Sequence, residues 1–231
     1  MLLTHLLANA MMTKRKGMQR LRTRFCRGEE IKFISHLDIM RLWHRALHRA
    51  GIPLAYTEGF SPHPRISLAA PLQVGVTSQA ELMDIFCTRW VSPHSFTNAV
   101  NQQLPPGIKI LQVYSVAPTM PSLQSQVSYT EYEVQIETER DKQDIESALA
   151  SLLLAKQLPW HHQRDTGTRS YDLRALIDEL WLIDWHSGYC TIGMRLRCDS
   201  SGSGRPEQVA AALGFSYPRS ILRTKLILKT S

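Results

Sequence analysis

The strongest constraint on the fold of this chain is that segments with the period of a strand alternate with segments that have the period of a helix. Residues 20–26 alternate strictly, with Leu21, Thr23 and Phe25 on one face of a strand and arginines on the other. Residues 36–50 repeat with the helical period instead. Both kinds of segment recur along the chain, which predicts an α+β fold.

The order of these segments indicates two similar modules. In residues 18–117 we expect strands at 20–26, 31–34, 81–90 and 108–116, helices at 36–50 and 92–104, and a long loop with two strand pieces at 52–80. A Pro-, Ser- and Gln-rich linker follows at 118–128. In residues 129–231 we expect strands at 129–138, 189–197 and 221–229 and helices at 141–156 and 206–214. The order β-α-β-β-α-β predicts two ferredoxin-like modules, with antiparallel sheets and helices on one face.

Length and composition exclude several classes of protein. The 231 residues suffice for two modules, and no apolar run is long enough for a membrane helix. Residues 1–17 place an apolar stretch before Lys14, Arg15 and Lys16, the reverse of a signal peptide, so we expect a disordered or spurious N-terminal extension. The 4 cysteines form no C-x-x-C pair, which argues against a compact metal site and favours a reducing, cytoplasmic compartment.

Positive charge is concentrated in the first half of the chain. The formal net charge is +7, and residues 1–117 hold 14 Lys and Arg against 6 Asp and Glu, whereas the remainder holds 13 against 14. The predicted helix at 36–50 separates its chemistry by face. Its core face is expected to comprise Leu37, Met40, Trp43, Leu47 and Ala50. The opposite face, which we call the basic arc, comprises Arg41, His44, Arg45, His48 and Arg49.

The basic arc suits phosphate, although an ordinary solvated helix face has the same composition. His44 and His48 have the i, i+4 spacing of a metal pair, but the flanking arginines repel a cation and no third ligand is evident, so we expect no metal site. The predicted RNA-contacting residues are Arg20, Arg22, Arg24, Arg41, Arg45 and Arg49. For the three arginines of the first strand, the alternative is a strand edge decorated with charge.

The long loop after this helix carries a second candidate site. Pro62 and Pro64 stiffen the chain around His63, and Gly59 allows unusual backbone angles. Aromatic side chains and a cation on a stiff loop suit stacking and phosphate contact with RNA, whereas a structural Ω-loop is the alternative. With the helix cap, the predicted cluster comprises Ser35, His36, Asp38, Tyr56, Gly59, Phe60, His63, Arg65 and Glu81.

Several motifs in this region resemble one protein family. They are F-I-S-H-L-D-I-M-R at 33–41, R-A-L-H-R-A-G-I-P-L-A-Y at 45–56, G-F-S-P-H-P-R-I-S at 59–67, P-L-Q-V-G at 71–75 and S-Q-A-E at 78–81. Together they resemble the radical SAM-linked protein family, an uncharacterised domain that is fused to cobalamin-binding radical SAM proteins or encoded beside them. The resemblance implies a radical SAM protein as partner. That partner would carry the iron–sulfur cluster, S-adenosylmethionine and, where it is of the cobalamin-binding type, cobalamin, with no cofactor in this chain.

Three hypotheses for the function follow from this reading. The first is an accessory RNA-binding or substrate-presenting module for a radical SAM enzyme that modifies tRNA or rRNA, without catalytic activity of its own. The second is a metal-independent endoribonuclease in which His36 or His63 is the general acid–base group and Arg41 or Arg65 stabilises the phosphorane. The third is a purely structural partner of the radical SAM protein.

Overall fold

The structure is a computed structural model, and it describes residues 18–164 and 167–229. The expected N-terminal extension, residues 1–17, lies outside the described residues. The fold is mixed, with helices and mostly antiparallel strands. The chain divides into two compact units, the first formed by residues 18–74 and 81–124 and the second by residues 75–80 and 125–229. Among the described residues, no helix is long and apolar enough to cross a membrane.

Strands and two α-helices make up most of the first unit. They are β1 (Gln19–Arg27), α1 (His36–Arg49), β2 (Ile66–Leu68), β3 (Thr77–Cys87), α2 (Pro93–Asn101) and β4 (Ile108–Val116). The strands lie in the order β2-β3-β1-β4, and β1 with β4 and β2 with β3 are antiparallel. The first four residues of β3 belong to the second unit.

The core of the first unit lies between one face of this sheet and the two helices. Leu21 and Phe25 of β1 and Trp43 of α1 are fully buried, and the Phe25 and Trp43 rings meet edge to face at 4.8 Å. Phe96 supplies the contact from α2. Burial of the apolar side of an alternating strand against the apolar stripe of a helix is what the two sequence periods predict.

Two expectations for the first unit are wrong. Residues 31–34 do not form a strand, because Glu29–Ile31 winds into a 3-10 turn that leads into the cap of α1. Leu37 does not face the core and is 65% exposed, whereas Ile39 and Ala46 are buried. The buried stripe of α1 is therefore rotated from the expected one and comprises Ile39, Trp43, Ala46 and Leu47.

The remaining elements follow β4. They are α3 (Leu123–Gln126), β5 (Val127–Thr138), α4 (Lys142–Leu154), β6 (Pro159–Arg164), β7 (Gly167–Asp172), β8 (Ile177–His186), β9 (Gly188–Asp199), β10 (Gly202–Ser203), α5 (Pro206–Ala212) and β11 (Ser220–Leu228). The expected linker at 118–128 thus contains a helical turn and the start of a strand. The sequence did not predict β6, β7, β8 or β10.

The second unit contains its own run of paired strands. They lie in the order β8-β9-β5-β11, each antiparallel to the next, with β10 beside β9. At the edge of β11, Leu222 and Arg223 pair in parallel with Thr77 and Ser78. The hairpin formed by β6 and β7 is a separate two-stranded sheet.

Candidate nucleic-acid interface

Helix α1 begins with the cap that the sequence predicts. The Ser35 hydroxyl accepts a hydrogen bond from the Asp38 amide at 3.2 Å and donates one to the Asp38 carboxylate at 2.7 Å. Arg41 donates to the same carboxylate at 3.1 Å. The hydrogen bond from Ser35, with that from Arg41, lowers the pKa of Asp38 below its ordinary value. These contacts remain within the helix, so capping accounts for Ser35 and Asp38, while His36 is exposed at the first helical position.

The basic arc lies on the surface as expected. Arg41, Arg45, His48 and Arg49 are exposed, and His44 is half-buried. The Arg41 side chain is 70% exposed even while it bonds with Asp38. Arg49 donates to the Gln103 carbonyl at 2.9 Å, which fixes one end of the arc. The arc therefore presents four exposed cationic or titratable side chains within about two and a half turns of one helix.

The loop between α1 and β2 folds back on itself as a narrow hairpin. The Arg65 amide donates to the Ala55 carbonyl and the Thr57 amide to the His63 carbonyl, both at 2.8 Å. The His63 amide donates to the Thr57 hydroxyl at 3.0 Å. Gly59 near the tip has φ of +123°, a backbone angle that glycine adopts without strain, as the sequence predicted. We call residues 55–65 the 55–65 hairpin.

A ring contact joins the 55–65 hairpin to the basic arc. The rings of Tyr56 and His44 meet edge to face, with their centroids 6.5 Å apart. Tyr56 keeps 44% of its surface exposed, and Phe60 at the tip of the hairpin is fully exposed. Aromatic surface and cationic side chains thus occur together on this side of the first unit, the combination that proteins use to bind single-stranded nucleic acid.

Arg65 has a different role from the one predicted. Its guanidinium lies 4.3 Å from the centre of the Phe86 ring, and Nη1 contacts the Met18 sulfur at 3.1 Å. The backbone of the same residue accepts from the Phe86 amide at 3.0 Å. Arg65 therefore anchors the hairpin to β3 and is half-buried, whereas His63 is exposed.

Two of the three arginines of β1 are not on the surface, which corrects their assignment to an RNA-binding face. Arg20 and Arg22 are 2% and 3% exposed, and both bond with the carboxylate of Asp84, which is wholly buried. Arg20 also donates to the carbonyls of Met120 and Pro121 at 2.6 and 2.8 Å. Both guanidinium groups therefore join β1 to β3, and Arg20 also joins the sheet to the segment after β4.

The two remaining predicted residues, Arg24 and Glu81, differ in exposure. Arg24 is exposed on β1, as the prediction requires. Glu81 is 1% exposed on β3, so its carboxylate is not part of the exposed surface. Tyr56 therefore contacts the basic arc through His44, whereas Glu81 is buried and does not belong to the exposed cluster.

The sequence reading missed Asp84, although a signal for it exists. Asp84 stands alone in the apolar run L-M-D-I-F-C at 82–87. A carboxylate inside a buried strand requires a cationic partner, and an adjacent strand with alternating arginines supplies two. The same strand contributes Phe86, on which Arg65 rests.

The described residues hold no metal-binding cluster, and their two buried thiols are not activated. They contain no group of three or more His, Cys, Asp or Glu side chains that could hold a metal ion. Burial raises the pKa of the Cys87 thiol to about 11 and also raises that of Cys190, so both thiols stay protonated at neutral pH. The surface formed by the basic arc and Tyr56 can bind an anion beside an aromatic ring.

Comparisons with known proteins give one family and several distant folds. The model of the family described as "Uncharacterized protein conserved in bacteria (DUF2344)" matches residues 20–206. A search of curated proteins finds no match.

The similar solved structures are remote. A chain from the crystal structure of a Cbf5-Nop10-Gar1 complex has a TM-score of 0.46 and 8% identity over 90% of this chain and 48% of that one. A chain from an H/ACA RNP bound to a substrate RNA containing 2'-deoxyuridine has a TM-score of 0.45 and 8% identity over 88% and 47%. A putative glycine cleavage system transcriptional repressor has a TM-score of 0.26 and 12% identity over 88% and 96%. The chain spans about half the length of the first two, and similarity this distant carries no functional argument.

Proposed function

The chain belongs to this family of uncharacterized bacterial proteins (DUF2344), and we propose that it is an accessory module that binds RNA through the basic arc of its first unit. The observation that carries this proposal is the geometry of α1. Arg41, Arg45 and His48 project from one helix face into solvent, and the Tyr56 ring lies against His44 within the same surface. Cations along a helix can neutralise backbone phosphates, and a neighbouring ring can stack on a base.

The proposed biological setting comes from the sequence resemblance. We infer that the module presents tRNA or rRNA to a cytoplasmic radical SAM enzyme, which supplies the chemistry from its own iron–sulfur cluster and S-adenosylmethionine. In this proposal the chain itself has no catalytic activity, because the exposed His36 and His63 can bind a phosphate without cleaving it.

The order of elements supports a ferredoxin-like interpretation of both units. The first runs β1-α1-β2-β3-α2-β4, and the second runs β5-α4-β8-β9-α5-β11 with the β6–β7 hairpin and β10 as additions. In the second unit, helix α4 lies between β5 and β8 along the chain. Strand β9 lies between the same two strands in the sheet, as a split β-α-β arrangement requires.

The test is charge reversal on the arc. Arg41→Glu together with Arg45→Glu leaves the buried face of α1 untouched, so the fold is expected to persist. Each lost phosphate contact makes the slope of log K against log salt shallower by about 0.7 for single strands, so we expect a change of about 1.4 or more and weaker affinity at low salt. The measurement is fluorescence anisotropy with a labelled oligoribonucleotide over a salt series.

A control with the same change in net charge separates the arc from the charge of the whole chain. Lys142→Glu with Lys156→Glu reverses two exposed lysines of the second unit. We expect this control to keep most of the slope. Equal loss in both variants, or an unchanged affinity and slope in the arc variant, rules out the arc as the RNA-binding surface.

A further inference from the structure

The fully exposed Phe60 at the tip of the 55–65 hairpin identifies a contact that the basic arc alone does not provide. We propose that Phe60 stacks on an unpaired base, and that the module therefore selects single-stranded RNA over duplex RNA. This inference rests on the proposed function, since it names the kind of RNA bound by the same surface.

The backbone of the hairpin is fixed before any ligand arrives. Its base is tied to β3, because the Ala55 amide donates to the Phe86 carbonyl at 2.8 Å and the Phe86 amide donates to the Arg65 carbonyl at 3.0 Å. A bridge between Tyr56 and Pro64 and the bonds between Thr57 and His63 close the next rung. A preformed hairpin loses little conformational entropy on binding. Most of the free energy gained from contacts at its tip therefore contributes to affinity.

The position of Phe60 gives it no structural role in the first unit. A single exposed apolar residue is common on proteins. Phe60, however, is 110% exposed at the end of a stiff support, and Tyr56 at the base of that support contacts His44 of the arc. A ring held away from the body of the unit, beside a surface that attracts phosphate, is placed to meet a base whose backbone lies on the arc.

The charges around the tip favour a base over a phosphate as its ligand. Glu58 is exposed two residues before Phe60 and repels the RNA backbone at this point, whereas His63 is exposed on the returning side. Bases inside a duplex are stacked on their neighbours and closed to a side-chain ring, but unpaired bases in loops and single strands are accessible. The tip therefore suits splayed bases in a single strand.

The experiment compares two RNA forms with matched variants. The probes are an unstructured oligoribonucleotide of about 12 nucleotides with one 2-aminopurine, and the same strand annealed to its complement. Phe60→Ala is compared with Phe60→Trp, which restores a ring, and with Tyr217→Ala, which removes a 77% exposed ring from the second unit. We expect Phe60→Ala to weaken single-strand binding about 5- to 100-fold, the effect of one lost stacked base, and to leave duplex binding unchanged.

The outcomes separate this inference from the proposed function. Phe60→Trp and Tyr217→Ala are expected to bind the single strand like the original protein, and 2-aminopurine is expected to be quenched more strongly by these two variants than by Phe60→Ala. If Phe60→Ala binds both RNA forms like the original protein, or loses both equally, the inference is wrong while RNA binding by the arc stands. If the original protein binds neither form, the proposed function fails with it.

Discussion

At the scale of single residues, Asp84 decides which arginines are available to a ligand. The sequence shows Arg20, Arg22 and Arg24 in identical alternation, and nothing local distinguishes them. The neighbouring strand does, because the Asp84 carboxylate bonds with both Arg20 and Arg22 at 2.5–3.0 Å, whereas the Arg24 side chain is exposed. Two guanidinium groups share one buried carboxylate, so that carboxylate is more important for stability than either cation.

This predicts a large effect for a small change at residue 84. Asp84→Asn keeps the size of the side chain but leaves two buried cations without their counter-charge. Loss of one partner from a buried ion pair costs about 3–5 kcal/mol, and we expect a loss of this order in the free energy of unfolding from urea titration.

An exposed ion pair provides the control. Glu137 lies 4.0 Å from Arg219, and the two side chains are 70% and 64% exposed. Glu137→Gln is expected to change the free energy of unfolding by less than about 1 kcal/mol, because solvent screens such pairs. Similar losses in the two variants would mean that Asp84 contributes no more than a surface charge.

At the scale of elements, the sequence predicts best where local signals agree. Strand β4 has the predicted bounds of 108–116 because Gly107 ends the preceding turn and apolar residues recur through the segment between single polar ones, and α1 begins at its predicted cap. The strand expected at 31–34 does not form, because a 3-10 turn satisfies the backbone amides of Ile31, Lys32 and Ile34 instead.

The elements that the sequence did not predict depend on pairing between segments. Strands β6 and β7 lie in P-W-H-H-Q-R and G-T-R-S-Y-D, neither of which alternates, and each forms only because it pairs with the other. Strand β8 pairs residue by residue with β9, with register shifts near Glu179 and Asp184 that erase a simple period of two. The candidate site could not be predicted in full for the same reason. The contact of Tyr56 with His44 depends on the attachment of the 55–65 hairpin to β3, which is distant in sequence from His44.

A close approach between β8 and β9 gives the prediction at this scale. Gly193 faces Trp181 on the neighbouring strand, and a Cβ atom at residue 193 would fall 2.0 Å from the indole ring. Gly193→Ala therefore forces the ring or the strand to move. We expect a destabilisation of about 1–3 kcal/mol in urea unfolding, the usual cost of overpacking.

A double-mutant cycle tests the cause of that loss. In a Trp181→Ala background the clashing ring is gone, so Gly193→Ala should cost little there, and the coupling between the two changes should account for most of the single-variant effect. An equal cost in both backgrounds would assign the effect to the backbone of β9 and not to the indole.

At the scale of the whole molecule, the boundary between the units does not coincide with a break in the chain. The expected linker at 118–128 suggests that two fragments could be separated there. The second unit, however, includes residues 75–80 from the middle of the first. Val76 and Ala80 of this segment are buried, and the Ser78 hydroxyl donates to the Arg223 carbonyl at 3.3 Å. A cut at the linker therefore removes part of the second unit.

We expect a fragment of residues 125–231 to be less stable than the second unit is within the full chain. It lacks the parallel pairing of Thr77 and Ser78 with β11 and the burial of Val76, which alone is worth about 1.5–3 kcal/mol. The measurement is urea unfolding followed by fluorescence of the tryptophans at 160, 181 and 185, all of which lie in this fragment. The same fragment with residues 75–80 joined to its C-terminus through a long Gly/Ser linker should recover part of the loss, because the segment can again pair with β11. If the fragment without this segment unfolds at the same urea concentration as the full chain, residues 75–80 do not stabilise the second unit and the linker at 118–128 is the true boundary.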